Sequence, residues 1–233
     1  MKQFISTLLV AFVLVASATD LLSQKKWDKG TVTYEITEVK SQEPMLGMMK
    51  GSTFGFSFDD EKVRMDMDVM GGMMAMKMVM QGTEKAPIVL MDMMGQKIHL
   101  DIKDEDMKTA DNGNPFDPND IDLSDMKVTY VDGTREIAGY KCRTANVTAE
   151  GQTFQMFTTD KISFDNEAAR KFLDHFGGFP LGMSVNADGN EVIILAKNVD
   201  SKVSGDRFKL STDGYQKMTP EEFGKQMGGS FGF

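Results

Sequence analysis

Apolar and polar residues alternate with a period of two over most of the chain. The first clear example is Val32, Tyr34 and Ile36, which are separated by Thr33 and Glu35. Successive side chains of a β-strand point to opposite faces, so this alternation predicts strands with one buried face. The same pattern recurs in three later segments, with apolar positions at Phe54, Phe56 and Phe58, then at Val63, Met65, Met67 and Val69, then at Met74, Met76, Met78 and Met80.

Eight further segments carry strand signals, and glycine-containing turns join several of them. The predicted strands lie at 87–93, 96–103, 126–132, 140–148, 152–159, 180–187, 190–198 and around 206–211. The predicted turns are Gly71-Gly72, Gly95, Glu150-Gly151 and Asp188-Gly189. About a dozen short strands in succession favour a mainly β fold. We therefore expect an antiparallel half-open β-barrel or a strongly curved sheet, with one or two short helices packed in or on it.

Two segments have helical signals instead. Asp165 can cap a helix over 166–176, where apolar residues recur at helical spacing before Gly177-Gly178 ends it. A second short helix is predicted to start at Thr219-Pro220-Glu221-Glu222. The acidic residues between 103 and 125 are expected to lie in an exposed loop.

The first eighteen residues have the order of a secretory signal peptide. Lys2 supplies a positive charge, 4–15 form an apolar core, and Ala16-Ser17-Ala18 is a small-residue cleavage site. Cleavage after Ala18 would release the protein into the periplasm or to the outside of the cell. The rest of the chain is predicted to divide into a lead-in at 19–29, a β domain at 30–218, and a short helix with a flexible tail at 219–233.

Charge and residue chemistry argue against several partners and activities. The chain has 26 Lys and Arg against 35 Asp and Glu, a net charge of −9, which disfavours nucleic acid as a partner. No stretch after the signal approaches the roughly 20 apolar residues of a membrane span. Cys142 has no second cysteine to pair with, and His99 and His175 stand far apart with no nucleophile motif nearby. We therefore expect a protein that is not an enzyme and carries no cofactor.

Several short motifs resemble a known family. They are Glu136-Ile137-Ala138-Gly139-Tyr140-Lys141-Cys142, the opening strand from Gly30 to Ile36, the turn Gly178-Phe179-Pro180-Leu181-Gly182, and Gly214-Tyr215. Together they resemble the exported bacterial proteins of the DUF4412 group, whose fold is similar to that of the LolA/LolB lipoprotein carriers. The resemblance covers roughly 28–218, and it implies no catalytic residue in this chain. It implies a half-open barrel wrapped around a helix, with an apolar cavity that holds acyl chains in those carriers. The GLPGLI group has a similar hairpin but ranks second, because residues 178–182 depart from its signature.

Methionine is concentrated in one part of the chain, since 14 of its 21 Met residues lie between Met45 and Met94. Three hypotheses remain open. In the first, methionine fills an ordinary packed core, where its flexible side chain suits irregular gaps. In the second, the same face lines a cavity for an apolar ligand. The lining residues would be Phe54, Phe56, Phe58, Met65, Met67, Met74, Met76, Met78 and Met80.

The third hypothesis is a soft-metal site for Cu(I) or Ag(I), because thioether sulfur is a ligand that such ions prefer. Residues two apart on a strand share a face, so the M-x-M and M-x-x-M spacings at 65/67/70, 73/76/78 and 91/93/94 could bring sulfurs together. The candidate ligands are Met65, Met67, Met70, Met73, Met76 and Met78. Of the three hypotheses we favour the second, an exported carrier-type domain for a lipid-like ligand in the bacterial envelope. An envelope protein is a further candidate partner.

Overall fold

The computed structural model describes residues 27, 29–59, 62–82, 85–104, 123, 126–149, 151–162 and 173–226. Its strands are β1 (Lys29–Lys40), β2 (Thr53–Asp59), β3 (Lys62–Val69), β4 (Met74–Gln81), β5 (Ile88–Met93), β6 (Gln96–Leu100), β7 (Lys127–Ile137), β8 (Tyr140–Ala149), β9 (Gln152–Thr159), β10 (Phe179–Ala187), β11 (Asn190–Asp200) and β12 (Gln216–Met218). The helices are α1 (Pro44–Gly47), a 3-10 helix (Gly205–Phe208) and α2 (Pro220–Gln226), and residues 173–176 are also helical. The predicted signal peptide, nearly all of the lead-in, most of the acidic loop and the tail from 227 onward lie outside the described residues.

All twelve strands belong to one sheet in the order β12-β6-β5-β4-β3-β2-β1-β11-β10-β9-β8-β7. Strands β1 to β6 form one antiparallel meander and β7 to β11 a second, and the pairing of β1 with β11 joins them. Within the described chain β12 is the one strand that runs parallel to its neighbour, β6. The sheet ends at β12 on one side and at β7 on the other, so it is not closed. The expected mainly β fold of about a dozen strands is confirmed.

The sheet is curved. Residues of β7 and β11 come within 8 Å of each other between α-carbons, although β8, β9 and β10 lie between these strands. In a flat sheet, four steps of about 4.8 Å would hold the two strands roughly 19 Å apart. The face on the inside of this curve carries the core, and we call it the inner face. Its centre is the cross-strand row Val32, Phe56 and Met65 on β1, β2 and β3.

The outer face carries a partly buried ionic cluster that holds the 3-10 helix. Arg64 on β3 donates to the carboxylate of Asp66 at 2.6 Å and to the carbonyl oxygen of Arg207 at 2.7 Å, while Arg207 donates to the same carboxylate. Phe208, the residue after Arg207, is buried. The prediction of a strand around 206–211 was therefore wrong. Ser204 caps the helical turn, and the ion pairs hold residue 207 in it.

Other boundaries differ from the sequence prediction in smaller ways. β7 continues beyond 132 to Ile137. A β-bulge at Asp132-Gly133, with Gly133 at φ +103°, accommodates these two residues without ending the strand. β12 and α1 were not predicted. The helix expected at 166–176 is confirmed at 173–176, and its earlier residues lie outside the described ones. The predicted helix starting at 219–222 is confirmed as α2, where Thr219 and Glu222 form a reciprocal capping box.

Candidate functional site

The inner face of β3, β4 and β5 is built largely from methionine. Register places Met67, Met76 and Met91 directly opposite one another across these three strands. Two rows flank this one: Met65, Met78 and Val89 on one side, and Val69, Met74 and Met93 on the other. Directly opposed side chains have Cβ atoms about 4.5 to 5.5 Å apart, so these thioether side chains are neighbours across the strands. We call this set the methionine face: Met65, Met67, Met74, Met76, Met78, Met80, Met91 and Met93.

The three phenylalanines of β2 extend this face toward the centre of the sheet. Phe54, Phe56 and Phe58 oppose Met67, Met65 and Val63 on β3. All three rings are buried, and the centroids of Phe56 and Phe58 lie 5.7 Å apart. The nine residues of the predicted lining therefore occupy one face of three adjacent strands.

Accessibility varies along the methionine face. Met65 and Met78 are buried, at 4% and 3% exposure, in the row nearest the centre. The row of Met67 and Met76, and beyond it Met74 and Met93, are half-buried. Met67, Met76 and Met93 pack against the core while part of their surface stays open to solvent.

More exposed methionines lie where the strands end. Connections β1–β2, β3–β4 and β5–β6 all lie at the same end of the meander, and they carry Met45, Met48, Met73 and Met94, which are 47% to 79% exposed. The amide of Met94 donates to the carbonyl oxygen of Met73 at 2.9 Å, which ties two of these turns together. Thioether side chains thus continue from the buried rows out to solvent.

The residues of the metal hypothesis fall into two groups. Met65, Met67, Met76 and Met78 form two directly opposed pairs. Met70 and Met73 lie in the turn that joins the same two strands, with Met70 at φ +55°. Met91 and Met93, whose M-x-M spacing also supported the metal hypothesis, lie on the same face of β5 and oppose Met76 and Met74.

The titratable side chains of β3 to β6 lie on the outer face, whereas the polar Gln96 opposes Met93 on the methionine face. Register puts Asp66, Asp68 and Lys77 on the outer face, and His99 opposes Leu90 there. Burial raises the pKa of the Cys142 thiol to about 11, more than Arg135 and a backbone hydrogen bond lower it. Among the residues that the structure describes, no group of three or more His, Cys, Asp or Glu is arranged to hold a metal ion.

Tyr34 is the one inner-face group with a strongly shifted pKa in the described part of the β1–β2 region. Its hydroxyl donates to the carbonyl oxygen of Pro180 at 2.8 Å, and burial holds its pKa far above the usual range. The group therefore stays neutral at every physiological pH. His175 lies elsewhere, with its Nε2 atom 3.0 Å from the carbonyl oxygen of Met126.

These features define a half-open β-sheet domain with an apolar inner face. The chain belongs to the family described as Domain of unknown function (DUF4412), whose model matches residues 38–210. The resemblance seen in the sequence is thereby confirmed. No curated protein matches the chain. Within the described residues, no helix is both long enough and apolar enough to cross a membrane.

Three solved structures are similar to the chain at low identity. PNGF-II matches at 9% identity with a TM-score of 0.35, over 87% of this chain and 33% of that one. The lipoprotein LppX of Mycobacterium tuberculosis matches at 8% identity and TM-score 0.39, over 76% of this chain and 89% of that one. LprF of Mycobacterium bovis matches at 10% identity with a TM-score of 0.36, over 84% of this chain and 95% of that one. The chain spans about a third of the length of PNGF-II.

Proposed function

We propose that this protein is an exported, non-enzymatic carrier-type domain that binds an apolar, lipid-like ligand on its inner face. The observation that carries the proposal is the half-burial of Met67, Met74, Met76 and Met93 on the face that also carries the core. An unbranched, polarizable lining can repack around apolar guests of different shapes. Neighbouring Phe54, Phe56 and Phe58 provide a rigid apolar wall beside it.

Export is part of the proposal. The signal peptide would be cleaved after Ala18, and the released domain would act in the periplasm or outside the cell. The intact mass of material collected from the envelope or the medium tests this, because the mature chain should begin at Thr19. A mass that retains residues 1–18 would contradict it.

Native mass spectrometry of protein purified from its own envelope is the primary test of the ligand. We expect adducts with the masses of lipids or similar apolar molecules. A clean mass of the bare protein in several preparations, together with no binding of the fluorescent fatty acid cis-parinaric acid, would overturn the proposal and favour a structural domain without a ligand.

A pair of lysine substitutions tests the location. Met76→Lys places a charge on the inner face between Met67 and Met91. We expect it to weaken cis-parinaric acid binding about tenfold or more, because burying an ammonium among apolar groups is costly. The matched control is Ala75→Lys, one residue away on the outer face between Asp68 and Asp92. Equal binding by both variants, with circular dichroism showing that both are folded, would place the ligand elsewhere.

A further inference from the structure

Three methionines lie in one cross-strand row of the sheet. Met67, Met76 and Met91 are consecutive cross-strand partners on β3, β4 and β5, so the side chain of Met76 lies between the other two. Each neighbour is about 5 Å away between Cβ atoms, and the flexible stem of methionine allows the terminal sulfurs to converge. Either Met74 or Met93, which oppose each other in the next row, could provide a fourth sulfur.

Phe54 on β2 and Ile98 on β6 continue this row at its two ends, and Gln96 opposes Met93 in the next row. Asp66, Asp68 and Asp92 alternate onto the outer face, because they lie at odd offsets from the methionines of their own strands. The Sγ atom of Cys142 on β8 donates to the carbonyl oxygen of Tyr140, and His99 opposes Leu90 on the outer face. Carboxylate and imidazole would suit Zn²⁺ or Ca²⁺, whereas a donor set of thioethers alone favours Cu(I) or Ag(I).

Burial and access also fit a bound ion. Met91 is 8% exposed and Met67 and Met76 are half-buried, so a complex would be partly shielded from water. Met73 and Met94 are exposed in the two hydrogen-bonded turns at the end of the same strands. A soft ion can therefore reach the row by exchange between thioethers.

We propose that the row of Met67, Met76 and Met91 is a thioether site for a soft monovalent ion, Cu(I) or Ag(I). The site does not depend on the apolar-ligand proposal. Thioether sulfur carries no proton to be displaced, so the ion binds equally well at pH 5 and pH 7, unlike an ion held by cysteine or histidine.

The test compares two triple variants in an anaerobic Cu(I) titration against a competing chelator. In Met67→Leu/Met76→Leu/Met91→Leu the row loses its sulfurs at nearly constant side-chain volume. The control, Met156→Leu/Met183→Leu/Met218→Leu, removes the same number of sulfurs from buried positions on other strands. We expect the wild type and the control to take Cu(I) from the chelator and the row variant to lose this ability. If the wild type takes none, or if both variants retain the ion, the proposal is overturned.

A second measurement covers the case in which the row variant does not fold. The methyl groups of methionine in the wild-type protein are followed by NMR during titration with Ag(I), which does not change oxidation state. Single Leu substitutions assign the signals. The Met67, Met76 and Met91 signals should shift together at pH 5 and at pH 7. Shifts confined to Met73 and Met94, or shifts that vanish at pH 5, would contradict the site.

The same samples separate this site from the carrier function. The control variant, Met156→Leu/Met183→Leu/Met218→Leu, lies outside the proposed lining and should bind cis-parinaric acid like the wild type. Cu(I) uptake by the wild type and by this control, with loss in the row variant, supports the metal site whatever the fatty acid does. Absence of fatty-acid binding in the wild type contradicts the proposed function and has no bearing on the Cu(I) result.

Discussion

The hydroxyl of Tyr34 donates a 2.8 Å hydrogen bond to the carbonyl oxygen of Pro180, across the inner face of the sheet. Tyr34 lies on β1 and Pro180 on β10, and β11 runs between them. Pro180 stands at the shift in register between β10 and β9. The bond therefore links the β1–β6 meander to the β7–β11 meander inside the core, in addition to the pairing of β1 with β11.

Removal of this hydroxyl should destabilise the fold. Tyr34→Phe leaves the buried carbonyl of Pro180 without its donor, and we expect the free energy of unfolding in urea to fall by about 1 to 3 kcal/mol. Tyr215→Phe is the control, because Tyr215 is only half-buried and its ring contact with Lys97 survives the change. Equal stability of the two variants would show that the Tyr34 bond contributes nothing specific.

Two buried side chains that ionise only at high pH, Cys142 and Tyr34, should make the stability of the fold decrease in alkali. Burial raises the pKa of Cys142 to about 11 and that of Tyr34 further above its usual range. An unfolded thiol titrates near 8.5, so the unfolded state releases its proton first. The contribution of Cys142 to stability is thus fully present below about pH 8.5 and is lost as pH rises toward 11.

Urea unfolding at a series of pH values measures this decline, and Cys142→Ala should flatten it between about pH 8.5 and 11. A second measurement uses reaction of the thiol with a disulfide reagent at pH 8. The native protein should react slowly and the denatured protein quickly, because the thiolate is the reactive species. Rapid reaction of the native protein would contradict the burial of Cys142.

The strand pattern could be predicted from sequence wherever one face is buried. Val32, Tyr34 and Ile36 alternate with polar residues because the core covers only one side of β1, and the structure confirms this. Prediction failed at 206–211, where Arg207 is held by Asp66, a residue 141 positions earlier in the chain. Such a contact leaves no trace in local periodicity.

The composition of the methionine face was predictable, but its rows were not. Alternation assigned Met74, Met76, Met78 and Met80 to one side of a strand, as observed. The register that sets Met67 opposite Met76, and Met76 opposite Met91, is fixed by the lengths of the turns between the strands. A change of one residue in either turn would have placed different side chains together.

The hairpin between β7 and β8 gives a test of the motif that carries the family resemblance. Gly139 has φ +81°, and a Cβ atom there would meet nothing within 4 Å. Gly139→Val should therefore act through backbone strain alone, and we expect a loss of more than about 1 kcal/mol in unfolding free energy.

The matched control for this hairpin is Gly205→Val. Gly205 also has open space around its Cβ position, but its φ lies outside the left-handed region. It should cost less than the hairpin variant, and Gly139→Asn should recover part of the loss, since asparagine tolerates positive φ. Unchanged thermal stability of Gly139→Val would remove the hairpin as a structural determinant.

The inner methionines of β4 allow shape and sulfur chemistry to be separated. Replacement of all four, Met74, Met76, Met78 and Met80, by leucine keeps volume and apolar area nearly constant, and such exchanges usually cost under about 1.5 kcal/mol each. We expect a folded variant whose dissociation constant for cis-parinaric acid stays within about tenfold of the wild type, a change of 1.4 kcal/mol or less. Its affinity for Cu(I) should fall, because leucine offers no donor atom to a soft ion and Met76 is the middle ligand of the proposed row. If the fatty acid is lost while the variant remains folded, sulfur itself contributes to apolar recognition and the lining cannot be described by shape alone. If Cu(I) binding is unchanged, the ion does not bind on β4.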